Sequence, residues 1–124
     1  MKTVLVVDDE LDIVEALKSI LEDEHYKVIS CGNGREALKC LGQAKPDLAI
    51  IDIMMPVMNG YETIKSIRKH PDMIGVPILV MSAIYPTVQA EGHKWDGFLK
   101  KPFSLRDLLD NVHRLTPPEP GPEP

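Results

Sequence analysis

Five short apolar runs, rich in β-branched residues, alternate with longer segments of helical period along this chain, and few folds accommodate that alternation. Residues 3–7 read as a strand, and residues 11–24 as a helix with Ile13, Val14, Leu17, Ile20 and Leu21 on one stripe. Residues 27–31 form a second expected strand and 34–41 a short helix. Residues 48–51 are apolar throughout, the pattern of a strand buried on both faces. A third helix is expected over 61–70 with Tyr61, Ile64 and Ile67 inward, a fourth strand over 77–81 and a fifth over 97–100. The last helix, 105–115, is the plainest: Leu105, Leu108, Leu109, Val112 and Leu115 recur at helical spacing, with Ser104 and Asp107 setting its start. Strands and helices in strict alternation imply an α/β domain with one parallel sheet and right-handed crossovers. The 124 residues suffice for one such domain and not for two. The ligand crevice of a sheet of this kind lies beyond the carboxyl ends of its strands, so the residues that follow each strand matter most.

Composition narrows the function. Hydrophobic residues make up 44% and charged residues 27%, an ordinary globular mixture. The net charge of −5 argues against direct contact with nucleic acid, which needs a basic surface. No stretch approaches the roughly 20 apolar residues that span a bilayer, no secretory signal is visible, and a cytoplasmic chain without membrane partners is expected. Cys31 and Cys40 have no metal-ligand spacing and read as two reduced thiols. His25, His70, His93 and His113 are scattered and read as surface residues, while Trp95 suits either packing on the fifth strand or contact with a partner. Residues 1–116 are expected to form the domain. Residues 117–124, five prolines with two glutamates and a glycine, form an extended tail or linker.

The strand ends gather a small set of reactive groups. The first strand runs into Asp8, Asp9 and Glu10, the third into Asp52, the fourth into Ser82 and the fifth into Lys101. In a parallel sheet these tips converge. Two carboxylates about 5 Å apart repel by roughly 3 kcal/mol at an effective dielectric of 20, and a third adds to the strain. A hard divalent cation relieves it, and oxygen-only ligands suit Mg2+, with Mn2+ as the alternative. Such a cation also lets a phosphate approach the carboxylates. Asp52, flanked by the Ser82 hydroxyl and the Lys101 ammonium, then reads as a nucleophile that forms an aspartyl phosphate. Asp9 also suits the N-cap of the first helix, a reading that leaves Asp8 unexplained.

The segments Asp8-Asp9-Glu10, Asp52-Ile-Met-Met-Pro56-Val-Met58-Asn59-Gly60, Met-Ser82-Ala83 and Lys101-Pro102-Phe103 resemble the response-regulator receiver family, in its order and at nearly its spacing. The resemblance extends from Met1 to about Leu115. It implies a flavodoxin-like, doubly wound five-stranded sheet of order 2-1-3-4-5. It also implies that Asp52 is the phosphoacceptor and that Asp8, Asp9, Asp52 and the Met54 carbonyl hold the metal. Ser82 and Lys101 correspond to the groups that bind the phosphoryl oxygens, Phe98 to the switch aromatic, and Lys101-Pro102 to a peptide that is usually cis. The chain departs from the family between Ser82 and Phe98, where the fourth helix is reduced to about residues 87–91 and is expected to be short or displaced.

The function so implied is signal relay in a two-component system by a phosphoacceptor domain, not an enzyme, that assists its own phosphorylation and dephosphorylation. A sensor histidine kinase or a phosphotransfer protein would present a phosphohistidine. Leu11, Ile13 and Val14 at the start of the first helix, with Met55, Pro56, Pro102 and Phe103, form the expected docking surface. The resemblance also suggests a homodimer through the face made by the fourth helix, fifth strand and last helix. Two other functional classes fit less well. A haloacid-dehalogenase-type phosphatase needs a second Asp two positions after the nucleophile, where this chain has Met54, and a pure binding module leaves the set of Asp8, Asp9, Asp52, Ser82 and Lys101 without a purpose.

Overall fold

A computed structural model of the chain describes residues 1–42, 45–53, 60–83 and 95–118. In chain order the elements are β1 (Thr3–Val7), α1 (Leu11–Asp23), β2 (Lys27–Cys31), α2 (Gly34–Leu41), β3 (Leu48–Asp52), α3 (Gly60–Ile67), a 3-10 turn (Pro71–Met73), β4 (Ile78–Ser82), β5 (Gly97–Lys100) and α4 (Leu105–Leu115). The strands form one parallel sheet of order β2-β1-β3-β4-β5, as expected. The residues expected to form a helix around 87–91 lie outside the described segments, as do His93, Met54, Met55, Pro56 and Asn59.

Side-chain alternation along the strands builds two cores. Leu5, Val7, Ala49, Ile51, Ile78 and Val80 point to the face covered by Ala37 and Leu41 of α2 and by Ile64 and Ile67 of α3. Val4, Val6, Leu48, Ile50, Leu79 and Met81 point to the other face, under Val14, Leu17 and Leu21 of α1 and Leu108 and Val112 of α4. Both faces are covered, which is why β3 and β4 are buried at every position.

Several boundaries differ from the sequence reading in ways that bear on the site. β3 extends to Asp52 and β4 to Ser82, so both residues are strand members, Asp52 in register with Met81 and Ser82 with Lys100. Their backbones are therefore fixed by the ladder rather than by a loop. The third helix stops at Ile67 rather than at residue 70, and Pro71, which lacks an amide proton, opens the 3-10 turn behind it. α1 ends one residue early, at Asp23, in a Schellman arrangement. The Tyr26 amide donates to the Leu21 carbonyl (3.0 Å) and the His25 amide to that of Glu22 (3.1 Å), with His25 in the left-handed region at φ 68°. Gly97 opens β5 where α4 crosses it. A Cβ there would lie 2.9 Å from Arg114 and 3.1 Å from Leu79.

His113 is a correction to the surface assignment. It is half-buried, stacked on Tyr26 with ring centroids 6.4 Å apart, and 3.3 Å from the Glu24 carboxylate. Its helical position, one residue after the buried Val112, turns it toward the end of α1. Trp95 packs within the chain, its ring 6.0 Å from that of Tyr61.

Candidate phosphoacceptor and metal site

The carboxyl ends of β1, β3, β4 and β5 bring together the groups that the sequence placed after them. Asp8 and Asp52 are 1% and 2% exposed, and no apolar neighbour can stabilise their charge. What does so is Lys101. Its ammonium lies 3.0 Å from Asp52 Oδ2, 3.1 Å from Asp8 Oδ2 and 3.2 Å from Glu10 Oε1. The lysine is carried there by the backbone, because its amide donates to the Ser82 carbonyl at 2.8 Å and extends the β4–β5 ladder by one step. The Lys101-Pro102 peptide is cis.

Asp8 is held from both sides. Its Oδ1 accepts the Glu10 amide at 2.9 Å, and its own amide donates to the Cys31 carbonyl at 3.1 Å. Burial pushes the Asp8 carboxyl above its usual range. The Glu10 amide and the Lys101 ammonium oppose that rise, and the charge of Asp52 adds to it. Burial also works against the Lys101 ammonium, but hydrogen bonds and charge from Asp52 and Asp8 outweigh it and hold the lysine pKa above its ordinary value.

Three carboxylates around one ammonium leave a surplus of two negative charges. One oxygen from each of Asp8, Glu10 and Asp52 lies within 4.8 Å of the others. This all-oxygen cluster, only one-third neutralised and open on the Glu10 side, fits a hard divalent cation. Asp9, expected in that set, is exposed and lies outside the cluster, on a small cleft lined by Leu11, Val14, Ser30 and Gly32. Nor does Asp9 cap α1: Glu10 occupies the N-cap and makes no side-chain cap bond. Glu10 is the residue that the sequence reading undervalued. It was visible as the third acid of the run, but an acid that directly precedes a helix also suits a simple cap.

Ser82 is buried at the end of β4, beside exposed Ala83. Phe98 is half-buried in β5, in register with Val80, and packs against the core beneath α2 and α3. Of the expected docking residues, Leu11 and Pro102 are exposed and Ile13 and Phe103 half-buried. Val14 is a correction. It is 8% exposed and belongs to the core stripe with Leu17 and Leu21, which faces the sheet. Beside the acidic cluster, Ile13, Ala16, Ile20, Ala83, Pro102 and Phe103 line a largely apolar groove of about 380 Å³, with Glu10 and Lys101 at its polar end.

Comparison with known proteins agrees with this geometry. The sequence pattern of the response regulator receiver domain matches residues 4–113. The response regulator SaeR of Staphylococcus aureus is 35% identical over 118 residues, which is 93% of this chain and 50% of SaeR. The chain thus spans about half the length of the curated relatives it matches. Among solved structures, the chemotaxis protein CheY4 of Vibrio cholerae superposes with a TM-score of 0.87 at 33% identity, over 93% of this chain and 98% of CheY4. The response regulator TrrA of Thermotoga maritima, solved in complex with Mg2+ and BeF, superposes with a TM-score of 0.81 at 35% identity, over 93% of this chain and 99% of TrrA.

Proposed function

The chain belongs to the response regulator receiver family of two-component signalling, and from that premise we propose that Asp52 is its phosphoacceptor, taking a phosphoryl group from the phosphohistidine of a sensor histidine kinase or a phosphotransfer protein. The observation that carries this reading is the sharing of one ammonium, that of Lys101, by two buried carboxylates, Asp8 and Asp52. A purely structural ion pair needs one carboxylate. The second is costly to bury and is explained by a bound cation.

In this reading Asp8, Asp9, Asp52 and the Met54 carbonyl hold Mg2+, or Mn2+, with Glu10 as a further carboxylate at the open side. Held there, the ion would supply positive charge that offsets the carboxylates and lets an incoming phosphoryl group approach. The solved complex of TrrA with Mg2+ and BeF supports the assignment. An Asp52 oxygen attacks phosphorus, the phosphorus–nitrogen bond to the donor imidazole breaks, and the imidazole nitrogen leaves with the bonding pair. Lys101 pairs with one phosphoryl oxygen and the Ser82 hydroxyl donates to another, both charge-assisted contacts. These contacts draw the end of β4 inward, and half-buried Phe98 repacks in response, which is the switch. Exposed Ala83 leaves room for the water that later hydrolyses the acyl phosphate.

The donor docks over the groove of Ile13, Pro102 and Phe103, with exposed Leu11 and with Met55 and Pro56 as its further contacts. The apolar lining suits a helical partner that carries its phosphohistidine toward the polar end of the groove. Incubation of the chain with Mg2+ and acetyl phosphate tests the assignment. The native chain should gain one phosphoryl group by mass, and Asp52→Ala none. An equal gain by Asp52→Ala would overturn it.

A further inference from the structure

Outside the acidic site, the described residues hold one pair of nucleophilic side chains in contact. The sulfurs of Cys31 and Cys40 lie 3.0 Å apart, and both are free thiols. From the sequence they read as two reduced thiols without metal-ligand spacing, and eight residues of chain lie between their positions. The fold removes that separation. Cys31 ends β2, and Cys40 lies in the last turn of α2, which folds back over the same strand.

The turn that brings them together is firmly held. The Asn33 side chain caps α2 by accepting the Glu36 amide at 2.9 Å, and the Glu36 carboxylate accepts the Gly32 amide at 2.8 Å. Ala37 and Leu41 anchor the buried face of α2 in the same core that holds Cys31. The two thiols are thus fixed in position by backbone and capping bonds on both sides. Their separation exceeds a disulfide bond by only about 1 Å. Their accessibility is unequal: Cys31 is buried and Cys40 half-buried. That asymmetry suits one thiol that meets an oxidant and one that resolves it.

We propose that Cys31 and Cys40 form an oxidisable dithiol, a modification site that a hydroperoxide converts to an intramolecular disulfide. The Cys40 sulfur attacks the peroxide, its oxygen–oxygen bond breaks, and Cys40 becomes a sulfenic acid with release of water (from hydrogen peroxide) or of the parent alcohol. The Cys31 sulfur then displaces the sulfenic hydroxyl, which leaves as a second water with the Cys31 proton. Two thiols lose two hydrogens in total, and one peroxide is reduced. The product would tie the last turn of α2 to the end of β2, one hydrogen bond from Asp8, whose amide is held by the Cys31 carbonyl. This site is independent of the phosphoacceptor assignment, and its test does not involve phosphorylation.

The full chain, fully reduced and then treated with stoichiometric hydrogen peroxide, should lose two hydrogens by intact mass without forming a covalent link between chains. Digestion should give one peptide pair joined through Cys31 and Cys40, and dithiothreitol should restore the starting mass. The Cys31→Ala variant should instead accumulate a sulfenic acid at Cys40 that dimedone traps. Oxygen added at Cys40 of the native chain without loss of the two hydrogens would overturn the proposal. So would disulfides between chains, or dimedone capture at Cys40 that is no greater in Cys31→Ala than in the native chain.

Discussion

Asp52 and Asp8, which end neighbouring strands, point one oxygen each at the same Lys101 nitrogen, at 3.0 and 3.1 Å. The lysine is a shared counter-ion for two buried acids. Replacing it with an apolar residue of similar length leaves both buried acids without their shared counter-ion. Lys101→Met should lower stability by about 2 to 3 kcal/mol in metal-free buffer. Added Mg2+ should recover part of that loss, because the cation serves the same oxygens. Thermal unfolding with and without Mg2+ checks both. A variant as stable as the native chain would show that the two acids do not depend on Lys101.

The metal set divides Asp9 from Glu10. Glu10 reaches the Lys101 ammonium, whereas Asp9 stays exposed outside the cluster. The proposed coordination nevertheless assigns the ion to Asp9 and leaves Glu10 at the rim. Asp9→Asn should therefore weaken Mg2+ binding by about 10-fold or more, and Glu10→Gln by much less. Titration calorimetry distinguishes them, and the reverse order would transfer the ligand role to Glu10.

Docking and chemistry are separable. Ile13 lines the groove but lies outside the acidic cluster. Ile13→Asp places a charge on the apolar lining and should slow phosphoryl transfer from a partner kinase by at least about 10-fold, the order expected for a charge in an interface core. Phosphorylation by acetyl phosphate should be unaffected. Equal slowing with both donors would point to a distorted site, and no slowing with either would remove the docking surface.

His25 holds a left-handed backbone conformation that glycine adopts without strain. Its side chain is exposed, so little packing is lost on removal. His25→Gly should stabilise the chain by about 0.5 to 1 kcal/mol, read by urea unfolding.

Tyr26 links stability to alkaline pH. Its hydroxyl donates to the Thr116 carbonyl at 2.6 Å, and burial, helped by the charge of Glu24, pushes its pKa up from 10.0 to about 12. The unfolded chain releases that proton first, so stability falls as pH rises from about 10 to about 12, by roughly 2 kcal/mol at the upper end. Cys31, raised chiefly by burial, and Lys101, raised by its acids against its burial, change stability in the same direction. Tyr26→Phe should be less stable near neutrality by about 1 kcal/mol and should show a shallower alkaline decline. A decline unchanged in Tyr26→Phe would assign the whole effect to the other groups.

What the sequence made legible follows from periodicity. A parallel sheet and four of the helices were readable because β3 and β4 are continuous apolar runs and α1 and α4 carry clean stripes, whereas the strand order was implied only by the family resemblance. The convergence of Asp8, Asp52, Ser82 and Lys101 follows from strand polarity alone. Contacts set by side-chain reach were not legible. Whether Glu10 or Asp9 turns toward Lys101 depends on how α1 begins. The contact between Cys31 and Cys40 depends on how α2 folds back over β2, and the half-burial of His113 on how α4 crosses the end of α1. Neither crossing has a local signal.

On the proposed function, the Asp52 carboxylate itself takes the phosphoryl group. Borohydride reduces an acyl phosphate to an alcohol and leaves free carboxylates untouched, so it marks the residue that was modified. After treatment with Mg2+ and acetyl phosphate, reduction and peptide mass analysis should find homoserine at position 52 and nowhere else, and none when Mg2+ is withheld. Homoserine at position 8 or 9, or unreduced aspartate at 52 in a chain that has gained a phosphoryl group, would contradict it.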